Sequence, residues 1–205
     1  EYGSASDCNF DLSLLKWGCK TLLEADSILG KNDSLRSRWK DVYARLTDFL
    51  FDPDEGWMIG RNRPYDMSHR HYSHLLMAYP LYLVNRDQPG GKEMIVKSVN
   101  HWQSIKGALE GYSRTGAASL YASVGEGDKA LAYLEEFMQK SMQPNTCYQE
   151  GGNPVIETPL SAARALLDMA LQSWGGKIRI FPAIPGIWRD FAFDNLLAEG
   201  AFEVS

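Results

Sequence analysis

The sequence predicts an all-α fold, helical hairpins forming part of an (α/α)6 toroid, with a short β segment at the C-terminus. Three observations carry this. Apolar residues recur at three-and-four spacing through successive segments, long irregular loops fall at alternate joints, and the period switches to two after Gly175-Gly176. A solenoid would show a fixed repeat, and the chain has no self-similarity at constant period.

Leu12, Leu15, Cys19, Leu22 and Leu23 share one face of a first helix, which Gly30 is placed to stop. Ser34 is placed to cap a second, carrying Leu35, Trp39, Val42, Leu46, Phe49 and Leu50 until Asp52-Pro53 ends it. Residues 53–71 form a long irregular connection rich in Gly, Pro, Arg and Asp, the kind of loop that carries binding. A third helix is expected from Tyr72 toward Val84, kinked or shortened by Pro80, and Met94, Ile95, Val99 and Trp102 mark a fourth.

An Ala-rich fifth helix covers about Arg114 to Val124. Gly125-Glu126-Gly127-Asp128 turns it into a sixth, with Asp128 as N-cap and Leu131, Leu134 and Met138 on its face. After a second long loop over residues 143–157, Thr158-Pro159 reads as N-cap and first helical position of a seventh helix. That helix carries Leu160, Ala163, Leu167, Ala170 and Leu171 and is expected to run to Gly175-Gly176. Lys177-Ile178-Arg179-Ile180-Phe181 then alternates polar and apolar as a half-exposed strand does, before the apolar end Ala201-Phe202-Glu203-Val204. The expected division is 1–176 helical and 177–205 strand-rich, leading into a C-terminal β domain.

At 205 residues and 44% hydrophobic, the chain can bury the core of one domain. A net charge of −5 excludes a sequence-wide basic surface, so neither nucleic acid nor an anionic membrane is an expected partner. No apolar run is long enough to span a bilayer, and without an initiator Met the numbering is expected to start inside a longer product. Cys8, Cys19 and Cys147 are odd in number and lack metal or redox spacing, so no disulfide framework is implied. The 12% aromatic share suits a core and also a carbohydrate cleft, where flat rings meet the apolar faces of sugars.

Three of the four histidines fall within His69-Arg70-His71-Tyr72-Ser73-His74, just before the apolar run Leu75-Leu76-Met77-Ala78-Tyr79. If a helix starts near Tyr72, its unpartnered N–H groups suit an anionic or hydroxyl-rich ligand. A metal site, a sugar or anion site and a structural turn all remain open at this point. Metal is the weakest, since neither H-x-x-x-H spacing nor a Cys pair accompanies the cluster.

Several blocks together resemble glycoside hydrolase family 95, inverting α-L-fucosidases and relatives acting on α-L-galactosides. They are His69 to Leu75 with Ala78-Tyr79-Pro80, Met169-Ala170-Leu171-Gln172-Ser173, Phe181-Pro182-Ala183-Ile184-Pro185 with Trp188, and Glu199-Gly200-Ala201-Phe202-Glu203-Val204. The resemblance implies that residues 1–176 are part of an (α/α)6 catalytic barrel. It also implies a glycan substrate, no cofactor and no metal, the remaining half of the barrel and flanking β domains as partners in the parent chain, and a secreted or periplasmic location.

Inverting hydrolysis needs a protonated carboxyl to donate to the leaving oxygen and a second group, about 6.5–9.5 Å away, to activate water on the opposite face. By resemblance Glu1, followed by Tyr2-Gly3-Ser4, falls at the general acid. Counting back from Gln172-Ser173 puts Glu157 at the second carboxylate, where the family has an aspartate in Asp-Gly-Asn and this chain continues Thr158-Pro159. A helix N-terminus favours a carboxylate there, and a base must be ionised. Glu150-Gly151-Gly152-Asn153 keeps the look of the motif at the cost of an insertion, which makes Glu150 and Asn153 candidates for substrate contact.

The resemblance further implies that His69 and His71 donate to sugar hydroxyls, that Trp57 offers an apolar face, and that Arg70 orients a neighbouring carboxylate; the structural alternative for Arg70 is an ion pair with Asp66 or Glu55. The family's water-holding asparagines lie upstream of Glu1, so the isolated segment is expected to be inactive or nearly so. Two other readings compete: a carbohydrate-binding or scaffold protein that kept the toroid and lost hydrolysis, and a toroidal epimerase or lyase using the histidines as acid and base.

Overall fold

The computed structural model of the protein describes residues 4–205. Two compact units share them: residues up to Asp66 with Ser73–Val84, and Met67–Tyr72 with Asn85–Ser205.

In the first unit, α1 (Asn9–Leu29) ends on Gly30, whose φ of 59° is the left-handed conformation that glycine adopts without a Cβ penalty. It buries Leu12 and Cys19, while Leu15 and Leu22, expected on the same face, stay 47% and 45% exposed. The buried stripe is the one that meets α2 (Arg36–Arg45) and the turn at Ser73–Leu75. The cap position falls on Leu35 instead of the expected Ser34 and has no side-chain cap; in the turn before it the Asp33 carboxylate accepts the Leu35 N–H at 2.8 Å. Rather than continuing to Leu50, α2 stops at Arg45, and the chain runs extended into a hairpin of β1 (Phe51–Asp52) and β2 (Gly56–Trp57). Asn9 anchors that hairpin: its fully buried amide donates to Leu50 O at 2.9 Å and Met58 O at 2.8 Å and accepts the Leu50 N–H at 2.9 Å.

The helix expected from Tyr72 to Val84 is absent. A single 3₁₀ turn, Ser73–Leu75, is followed by linked turns, with Leu81 N–H reaching Leu76 O at 3.3 Å and Val84 N–H reaching Met77 O at 2.9 Å. Pro80 has no N–H to give a helical ladder, and its ring collides with the preceding turn. The apolar run is core all the same, with Leu75, Met77 and Ala78 at most 1% exposed.

The second unit is built on α4 (Gly111–Ser123), packed by α3 (Gly91–Ser104), α5 (Gly127–Lys140) and α6 (Glu157–Ala170). Of its thirteen residues all but Tyr112 and Arg114 are buried. Gly, Ala and Ser fill most of its positions because small side chains let the neighbouring helices approach. Gly116 is the closest approach: a Cβ there would lie 2.6 Å from Tyr72 Cδ1 and 3.4 Å from Trp102 Cη2. We expect Gly116→Ala to destabilise the protein by about 1–3 kcal/mol through overpacking, outweighing the better helix propensity of Ala. Urea unfolding measures it, and an unchanged or raised midpoint counts against the contact.

Two boundaries differ from the sequence expectation. Asp128 lies inside α5 and accepts the Gly186 N–H at 2.7 Å, so it ties the 185–188 segment to the helix instead of capping it. The last helix stops at Ala170, and Leu171–Trp174 forms strand β5, paired antiparallel with β6 (Lys177–Ile180). Gly175 and Gly176, at φ 62° and 71°, make the two-residue turn that right-handed strand twist favours, so Gly-Gly here is a hairpin signal and not a helix stop. Fully buried Gln172 locks the junction, donating to Ala122 O at 2.7 Å and Asp168 O at 2.9 Å. A further hairpin, β7 (Leu196–Ala198) with β8 (Phe202–Val204), follows. Helices with short strands are compatible with part of a toroid, and the described residues contain six α-helices where seven were expected.

Candidate active site

The loop at residues 68–70 is pinned residue by residue. Ser68 Oγ accepts the Ala108 N–H at 2.9 Å, His69 O accepts Trp102 Nε1–H at 2.9 Å, and Arg70 O accepts Ser113 Oγ–H at 2.9 Å. Trp102 is fully buried, and Ser113 belongs to a capping box with Glu110 that sets the start of α4. The rigid start of a helix thus fixes the backbone of the His-Arg-His segment.

The side chains converge. His69 Nδ1 accepts the His71 N–H at 3.1 Å, and the two rings meet edge to face at 5.2 Å. Arg70 Nε lies 3.0 Å from Glu150 Oε1 and 3.3 Å from His71 Nε2. These contacts set the neutral tautomers, with the proton on Nε2 of His69 and on Nδ1 of His71. No α-helix starts after His71, only the 3₁₀ turn Ser73–Leu75, so the expected α-helical N-terminus is not there.

Burial pushes His71 below its ordinary value of 6.5, Arg70 and His69 add to the shift, and the charges of Glu150 and Glu157 oppose it. The sequence-predicted His69, His71, Glu150 and Glu157 therefore share one electrostatic neighbourhood. Glu157 is the first residue of α6, exposed beside fully buried Thr158. The structure makes Ile156 the cap and puts Thr158 inside the helix, in place of the expected Thr158 cap.

Glu150 belongs to a hairpin, β3 (Gln149–Glu150) and β4 (Asn153–Pro154), turned by Gly151 and Gly152 at φ 56° and 81°. The apparent acid-Gly-Gly-Asn motif is that turn. Glu150 is held by Arg70, whereas Asn153 is exposed and donates to Gly151 O at 3.4 Å, serving the turn. Trp57 departs from expectation: at 2% exposure, edge-on to Phe51 at 5.7 Å, its ring is core of the first unit and has no open face for a sugar. His74 is core as well, stacked on Tyr65 at 4.4 Å. Glu1 lies outside the described residues.

Sequence reasoning missed Tyr112 and Tyr148. Tyr112 stands edge-on to His71 at 5.4 Å and stacks on Tyr72 at 5.8 Å. Tyr148 accepts the Gly111 N–H at 2.9 Å and donates to Glu150 Oε2 at 3.4 Å. Burial pushes its hydroxyl up, which keeps it a donor. Alternation with Glu150 across a short strand was the only signal for Tyr148, and Tyr112 had none.

Residues 1–158 match the family model described as the glycosyl hydrolase family 95 catalytic domain, a stretch that takes in every candidate residue from Glu1 to Glu157. The chain belongs to glycosyl hydrolase family 95. No curated protein matches it. The Met169–Ser173, Phe181–Pro185 and Glu199–Val204 blocks lie beyond the matched stretch. A glycosyl hydrolase 95 catalytic domain implies glycoside hydrolysis and a glycan substrate. Among the described residues no group of three or more His, Cys, Asp or Glu is arranged to hold a metal, and no helix is long and apolar enough to cross a membrane.

The charges around His71 make its titration a test of the glycosyl hydrolase 95 site. Its folded-state value lies below 6.5, so any contribution to stability is intact above that pH and is lost as pH falls from 6.5 through the folded value. We expect the imidazole signal to titrate below 6.5 by NMR, and Glu150→Gln to lower the midpoint further by removing an opposing anion. A midpoint that rises in the variant would exclude this arrangement.

Proposed function

We propose that the protein hydrolyses terminal α-L-fucoside-like residues of glycans, α-L-fucosyl or α-L-galactosyl, with inversion and without metal or cofactor. The observation that carries this reading is the contact chain from His69 through His71 and Arg70 to Glu150 within a glycosyl hydrolase 95 catalytic domain, with the charge of Glu157 also acting on His71. In it Glu157 orients and deprotonates the attacking water, and Glu1 protonates the leaving oxygen. His69 and His71 donate to sugar hydroxyls through Nε2 and Nδ1, and the Tyr112 ring beside His71 supplies an apolar face. Arg70, fixed by Glu150, sets the imidazole of His71 in place.

The same proposal makes residues 1–176 part of an (α/α)6 barrel completed by further sequence, residues 177–205 the entry to a β domain, and the location secreted or periplasmic. The specific observation favouring a second reading, a carbohydrate-binding protein that has lost hydrolysis, is Glu157-Thr158-Pro159 where the family motif has Asp-Gly-Asn.

The test is release of L-fucose and L-galactose from α-linked oligosaccharides by the full-length protein, with the anomer of the first product read by NMR. The β-anomer formed first supports inversion. No release together with saturable sugar binding supports the second reading.

A further inference from the structure

Tyr112 and Arg114 are the two residues of α4 that escape burial, and they serve different places. Tyr112 faces His71. Arg114 lines a separate groove of about 490 Å³, bounded by the end of α3, the α3–α4 loop and α5. That size falls within the roughly 300–1,000 Å³ typical of small-molecule sites.

The groups in this groove are those that bind a charged sugar. Gln103, only 7% exposed, spends its Nε2–H on Ser113 O at 3.2 Å, and its Oε1 has no protein donor among the described residues. The Tyr133 hydroxyl likewise has no protein partner there, while the Tyr133 ring, stacked on Tyr121 at 5.6 Å, forms with Leu109 the apolar part of the wall. Two cations line the same space. Lys106 Nζ donates to Gln103 O at 2.6 Å, and Arg114 Nε lies 3.2 Å from Glu136 Oε1.

Glu136 is shared with Lys140, whose Nζ is 3.0 Å from the same oxygen. The Arg114 Nε–H, although buried and within ion-pair range, has no aligned acceptor. One carboxylate serving two cations leaves the groove short of negative charge. A ligand carboxylate or sulfate meets that need, and its ring hydroxyls meet Gln103 and Tyr133.

We propose that this groove is a second carbohydrate-binding pocket, selective for a pyranose bearing one negative charge. It shares no residue with the His71 cluster and rests on its own groups, so its failure is separate from that of the hydrolytic reading.

The test is calorimetric titration of the protein with D-glucuronate and glucose 6-sulfate, with neutral glucose and inorganic sulfate as comparators. Saturable binding of at least one charged sugar, about tenfold tighter than either comparator, is expected. Arg114→Gln should weaken it about tenfold, and Lys106→Ala, an exposed change that leaves the core alone, several-fold without altering glycan hydrolysis. Absence of charged-sugar binding overturns the proposal. Glucose binding equally well overturns the charge, and inorganic sulfate binding equally well overturns the sugar. Binding indifferent to Lys106→Ala places the ligand elsewhere.

Discussion

Glu157→Gln is expected to lower kcat for glycan hydrolysis by about 10²–10⁴-fold while KM changes little, because an amide keeps the shape of the side chain and cannot take a proton from water. Glu157 is exposed at the first position of α6, so its replacement disturbs no packing, and unfolding should shift by no more than the roughly 0.3–1 kcal/mol of a charge at a helix end. The same substitution removes a negative charge that acts on His71, so the His71 midpoint should fall in parallel. Glu157→Asp retains a base set back by one methylene and should recover only part of the rate. Steady-state kinetics with a released-sugar assay read all of this. A variant within a few-fold of the parent would move the base elsewhere, with Glu150 the next carboxylate to examine.

Trp102→Ala is expected to carry the largest stability cost, about 3–5 kcal/mol, since the side chain is fully buried and touches the Tyr72 ring at 5.5 Å. It also removes the donor to His69 O, leaving that carbonyl without the bond that pins the His-Arg-His loop. The milder Trp102→Phe separates these effects: most of the packing remains while the hydrogen bond is lost, at about 1 kcal/mol of stability. If the loop depends on that bond, Trp102→Phe lowers kcat/KM by more than its small stability loss explains. Urea unfolding beside steady-state kinetics distinguishes the outcomes, and a Phe variant with full activity would show that Ser68 and Arg70 hold the loop without it.

Most helices were legible because hydrophobic spacing is a local property. α1 with its Gly30 stop, and α3, α4 and α5, lie close to where apolar periodicity puts them. The failures share a cause, the reading of an apolar run as a helix by default. Leu75 to Tyr79 is apolar because it is buried, and Pro80 prevents the ladder that a helix needs. Leu171–Trp174 is likewise apolar on the way to a Gly-Gly turn, where the positive-φ pair demands a hairpin. A two-residue loop flanked by alternating segments was present in the sequence and outweighs helical spacing.

The site divides the same way. Glu157 and the two histidines could be singled out by their neighbours in sequence, but what joins them could not. Arg70 meets Glu150, where Asp66 or Glu55 was expected, and Tyr112 and Tyr148 complete the cluster with almost no sequence signal. Trp57 shows the reverse error, a residue of the right chemistry that packing has spent in a core.

By itself the sequence determined the helical character, the family and the residue types available for acid–base chemistry, since propensity, periodicity and motif spacing are written along the chain. Tertiary structure alone decided which apolar runs became turns, which aromatic rings stayed accessible and which carboxylates act on His71. Those depend on groups distant in sequence meeting across packed elements, where a hydrogen bond or an ion pair is made or lost within a few tenths of an ångström.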